Sequence, residues 1–167
     1  MSLDLYIKSK KPVVKRGTGV YVREDGKTKE LKTMAEVKEH FPDADLSQIK
    51  VFESETNDVW HENITHNMNE MARNVPIGEH TLYDYLWHPE EIGITHITQE
   101  YTNSVIAGLV FLREHKEDLI QYEPPIDPET GSRWGDYEQF LRFCISLVSA
   151  IMSIDYIHEE YELVAWA

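Results

Sequence analysis

Leu3, Leu5 and Ile7 alternate with Asp4, Tyr6 and Lys8, the two-residue period of a strand with one buried face. The run from Gly19 to Leu31 predicts a hairpin turning at Asp25-Gly26, because Asp-Gly accepts the positive dihedrals of a tight primed turn. Thr33-Met34-Ala35-Glu36 has the spacing of a capping box, so a short helix should start there and stop near Phe41, before Pro42. A further strand is expected over residues 49–54.

Beyond this point the period becomes helical. Ile64, Met68, Met71, Ala72 and Val75 fall on one helical face, with Asn63, His66, Asn67, Glu70 and Asn74 on the other and Pro76 closing the run. A short helix over 81–87 stops before Pro89, which disfavours helical geometry at His88. Thr98 can cap a long helix to about Tyr122, with Tyr101, Val105, Leu109 and Leu112 turned inward and Pro124-Pro125 ending it. A last helix is expected over 136–157. It is apolar around most of its circumference, apart from a seam of Gln139, Arg142, Ser146, Ser149 and Ser153. Such a helix is either central to the fold or covered by a second subunit. A homodimer contact through the helix bearing Phe143 and Ile157 is therefore one reading, and core packing the other. Residues 161–166 read as a closing strand. Together these elements predict one α+β domain, a mainly antiparallel sheet of the N-terminal strands and the C-terminal strand packed against two long and several short helices. Residues 1–56 form its hairpin-rich, basic part and residues 57–167 its acidic, mostly helical part.

Charge sharpens that division. The chain of 167 residues carries a formal net charge of −14, yet eleven of its sixteen Lys and Arg precede residue 51. An acidic surface over the remainder repels phosphate backbones, so direct nucleic-acid binding is not expected, while a basic protein partner would be attracted. Cys144 is the single cysteine and lies in the apolar Phe143-Cys144-Ile145, which points to an inert core thiol and a reducing, cytoplasmic setting. The first residues lack a basic segment followed by an apolar run, and the stretch from Phe143 to Ile154 is too short to span a bilayer. A soluble, unexported protein without membrane contact is expected.

Five histidines, His61, His66, His80, His88 and His96, fall within a short span. Histidine is the commonest metal ligand and titrates near neutrality. His66 and Glu70 are one helical turn apart, so both could reach a divalent ion completed by His61, His88 or His96. A zinc-protease pair or paired cysteines are missing, and a His-Glu pair at this spacing also serves as an ordinary helix-surface contact. His96-Ile97-Thr98 matches one half of a two-histidine phosphoesterase motif, but no second His-x-Thr or His-x-Ser follows. Thr98 is accordingly read as a helix cap and His96 as local structure. Asn63, His66, Asn67, Glu70, Trp87 and His88 are the candidates for ligand binding. Asn63 and Thr65 have helix capping as their alternative, and Trp60, Trp87 and Trp134 have packing as theirs.

Ser2-Leu3-Asp4, Asn63-Ile64-Thr65-His66-Asn67 with Met71-Ala72, Leu86-Trp87-His88-Pro89-Glu90-Glu91 and Trp134-Gly135-Asp136-Tyr137-Glu138 together resemble a group of small proteins of tailed phages and prophages. The resemblance spans much of residues 51–140 and both chain ends; the apolar 143–154 segment and the Val-Ala-Trp-Ala end depart from it. It implies a viral accessory origin and no particular activity. The resulting expectation is a non-catalytic phage or prophage accessory protein, without a cofactor, that binds a host protein or small ligand in the host cytoplasm. One version is anti-defence, by acidic occlusion of a host factor or sequestration of a small ligand. The alternatives are a metal-dependent hydrolase using His66 and Glu70 and a virion structural or assembly protein.

Overall fold

The computed structural model describes residues 2–24 and 27–167. The chain forms two compact units, residues 1–10 with 58–167 and residues 11–57. The first strand begins in the larger unit, and the chain returns to that unit at Asp58. Two long strands, β1 (Ser2–Gly17) and β4 (Phe52–Thr65), contribute residues to both.

In the larger unit, β4, β1 and β7 (Tyr161–Trp166) form a three-stranded sheet in that order, with β1 and β7 antiparallel and Leu5 opposite Ala165. The alternation read from the sequence is obeyed: Leu3, Leu5, Ile7 and Leu163 are buried, whereas Asp4, Tyr6 and Lys8 point to the other face. Helices cover the buried face. They are α2 (Asn69–Arg73), α3 (Leu82–Trp87), α4 (Gln99–Glu114), α5 (Lys116–Leu119) and α6 (Tyr137–Met152), with a small β5–β6 ribbon (Pro76–Ile77 and His80–Thr81) between the first two. Tyr101, Val105 and Leu112 of α4 and Phe140, Phe143, Leu147 and Ile151 of α6 fill a core with Met68, Met71, Leu86 and Trp87. Gly108 lets α4 pass close to α3 and β5, since an added Cβ would sit 3.0 Å from Leu82 and Ile77 methyls. The expected α+β class and mainly antiparallel sheet are the observed ones, and no helix among the described residues is long and apolar enough to cross a membrane.

Several boundaries shift. β4 starts at Phe52 and runs through Ile64 to Thr65, so the helical face expected from Ile64 begins only at Asn69, after a 3-10 turn over His66–Met68. α4 ends at Glu114 rather than near Tyr122. The His115 ring stacks on Phe111 at 3.8 Å, and its backbone N–H donates to the Phe111 carbonyl at 3.0 Å, closing the helix. α6 stops at Met152, where Ser153 donates from its hydroxyl to the Ala150 carbonyl at 2.7 Å; Ile157 lies beyond it.

The smaller unit pairs β2 (Tyr21–Glu24) with β3 (Lys27–Glu30), Glu24 opposite Lys27. Asp25 and Gly26, where the turn is expected, lie outside the described residues. The helix α1 (Met34–His40) starts as predicted: Thr33 Oγ accepts from Glu36 N at 3.2 Å, and Glu36 accepts from Lys32 N at 2.8 Å. Leu31 and Val37 are fully buried, and Thr18 donates to the Leu31 carbonyl at 2.6 Å.

Candidate functional site on the open face of the sheet

Period-two geometry puts Asp4, Tyr6 and Lys8 of β1 and Glu162, Val164 and Trp166 of β7 on the sheet face opposite the core helices of the larger unit. The antiparallel register sets Asp4 against Trp166, Tyr6 against Val164 and Lys8 against Glu162. From β4, His61 and Asn63 join them, while Trp60, Glu62 and Ile64 turn toward the helices.

Asp4 organises this face. Its Oδ1 lies 2.9 Å from His61 Nε2 and accepts from Asn63 Nδ2 at 3.1 Å. The His61 ring is thereby held flat on Tyr6, with centroids 4.2 Å apart and an interplanar angle of 13°. Trp166 leans on the same tyrosine at 5.2 Å, and Lys8 sets its ammonium 5.0 Å from the Tyr6 ring and 2.9 Å from Asp58. The result is a row of three rings, His61, Tyr6 and Trp166, bordered by Asp4, Asp58 and Glu162. Trp166 is 61 % exposed, unusual for the side chain with most to gain from burial.

The other expected site residues are dispersed. His66 meets Asn69 at 3.1 Å, and Asn67 donates to the Trp134 carbonyl at 3.1 Å, pinning the loop before α6. Glu70 stays exposed beside Arg73. Trp87 is 1 % exposed, stacked on Tyr83 and packed against Phe140. It is a core residue rather than a ligand platform, because burial leaves no ring face open. His88 is engaged by the Tyr83 hydroxyl at 3.0 Å, a local contact at the end of α3. His96 pairs with Glu160 at 2.7 Å, and His80 sets its edge on Tyr85. Thus His61, His66, Glu70 and His96 do not converge, and among the described residues no three His, Cys, Asp or Glu side chains are placed to share a metal ion. Thr98 caps α4 by accepting from Tyr101 N at 3.0 Å, and Thr65 takes the capping role before the 3-10 turn, accepting from Asn67 N at 3.4 Å. Cys144 is buried, which pushes its thiol pKa far up and keeps it in the unreactive protonated form.

Only Asn63 and His61 of the expected residues belong to the organised face. Asp4, Tyr6 and Trp166 were missed as site residues, although the polar phase of the β1 alternation already carried the first two. No protein-family model, curated protein or solved structure matches the chain.

Proposed function

We propose that the chain is a non-catalytic accessory protein of tailed-phage or prophage origin that acts in the host cytoplasm by binding a basic segment of a host protein, and that the open sheet face is its contact surface. The supporting observation is the ring row of His61, Tyr6 and Trp166 bordered by carboxylates. A guanidinium can stack on an aromatic face while it hydrogen-bonds a carboxylate, a combination that a compact, strongly hydrated ammonium reproduces less well. The setting favours a cationic partner, because the larger unit has seven Lys and Arg against twenty-one Asp and Glu. Occlusion of a nucleic-acid-binding groove on a host defence factor is the anti-defence form of this reading.

An arginine-rich peptide, its lysine counterpart and its uncharged citrulline counterpart, titrated by calorimetry, test the proposal. Saturable binding in the order arginine, lysine, citrulline is expected, weakening as salt rises. Trp166→Ala and His61→Ala should each reduce affinity about tenfold, in line with the loss of one ring contact of ~1–2 kcal/mol, and Glu70→Ala should leave it unchanged. Equal binding of all three peptides, or binding indifferent to Trp166 and His61, overturns the proposal.

A further inference from the structure

The solvent face of α6 is the second unusual surface. Between Glu138 and Asp155 the sequence contains no carboxylate, although 30 of the 167 residues are Asp or Glu. Within that stretch Ile145 is 44 % and Met152 66 % exposed, two helical turns apart on one stripe. Ser149 and Ser153 are exposed along the same face, while half-buried Ser146 accepts from Trp60 and donates to Glu62 of β4; with Val59 and Trp60 the three serines border an open groove of ≈ 450 Å³. Arg142 stands at the N-terminal end of this face, exposed and without an ion-pair partner among the described residues. Asp155 stands three residues past the other end, exposed and 2.9 Å from His158.

We infer that this face pairs antiparallel with the same face of a second copy of the chain, about a two-fold axis passing close to Ser149. A two-fold contact must be self-complementary, so that residue i meets j and j meets i. With the axis beside Ser149, Ile145 of one copy meets Met152 of the other, and Arg142 meets Asp155, each twice. The serines let the two backbones approach closely. The α6 stripe adds no carboxylate of its own to Glu62 of β4, which accepts from Ser146; elsewhere on the acidic unit, two copies would bring more like charges together. The surface is one helix wide, at the small end of stable interfaces, so dissociation in the micromolar range is expected, on the order of 1–50 μM. This pairing is independent of the sheet-face reading and is measured on the purified chain without a peptide.

Sedimentation velocity of the full chain over a concentration series should show a monomer–dimer equilibrium. Met152→Lys should weaken it more than about tenfold, without changing circular dichroism or the melting temperature, because that side chain is already exposed. Arg142→Glu and Asp155→Arg should each weaken it, whereas the chain carrying both should recover dimerisation to within a few-fold of the original. Asp155→Arg also removes the contact with His158, so recovery in the combined variant is the deciding result. A monomer at every concentration, a dimer indifferent to these substitutions, or absence of recovery overturns the inference.

Discussion

Trp87 has 1 % of its surface exposed, and its indole N–H has no protein acceptor among the described residues. A buried donor without a partner costs about 1–3 kcal/mol, which offsets part of what the ring gains by packing between Tyr83 and Phe140. Trp87→Phe, which removes the donor and keeps an aromatic ring, should therefore destabilise by only about 1–2 kcal/mol, against about 3–5 kcal/mol for Trp87→Ala. Urea denaturation of the two variants checks the gap; equal losses would mean that the indole nitrogen carries no penalty.

A second residue-scale effect concerns His40 in α1. Its Nε2 lies 2.9 Å from Glu24 and its Nδ1 3.0 Å from the Glu36 carbonyl oxygen. The bond to Glu24, then that to Glu36, raises the His40 pKa above its usual 6.5, while the His40 bond lowers that of Glu24 below 4.5. Folding thus favours charged histidine and charged carboxylate. The histidine contribution is complete below pH 6.5 and fades as pH rises through the higher folded value. The carboxylate contribution is present above pH 4.5 and fades as pH falls through the lower folded value. An NMR titration should place the His40 midpoint above 6.5, and Glu24→Gln should bring it down toward that value.

At the scale of elements, hydrogen-bonding side chains rather than periodicity set the boundaries. Ile64 satisfies a helical stripe with Met68 and Met71, but it satisfies equally well the alternation of Trp60, Glu62 and Ile64, and sheet pairing selects the second. Thr65 and Thr98 then mark where helical turns start, and His115 and Ser153 where α4 and α6 stop. Thr98→Ala should cost about 1 kcal/mol and lower the melting temperature by a few degrees, while Thr98→Ser should restore most of it, because the hydroxyl is what accepts the Tyr101 N–H. Equal melting of all three proteins would mean that another group caps α4.

At the scale of the whole molecule, the two units differ in charge. The formal excess of −14 lies entirely on the larger one; residues 11–57 have nine Lys and Arg against nine Asp and Glu. The α6 stripe, which has no carboxylate between Glu138 and Asp155, interrupts that acidic surface, whereas the ring row is bordered by it, and the two proposed contacts use these two settings. By itself the sequence determined the class of the fold, the inward face of β1, the hairpin, the caps at Thr33 and Thr98, the closing strand and the burial of Cys144. Each follows from local period or from a hydrogen bond within a few residues, physics that acts along the chain. Tertiary structure alone decided which polar residues meet. His61, His66 and His96 are near in sequence yet bond to Asp4, Asn69 and Glu160. Asp4 and His61, fifty-seven positions apart, share an edge of the ring row, because strand pairing brings distant residues to one face and periodicity says nothing about which strands will be neighbours.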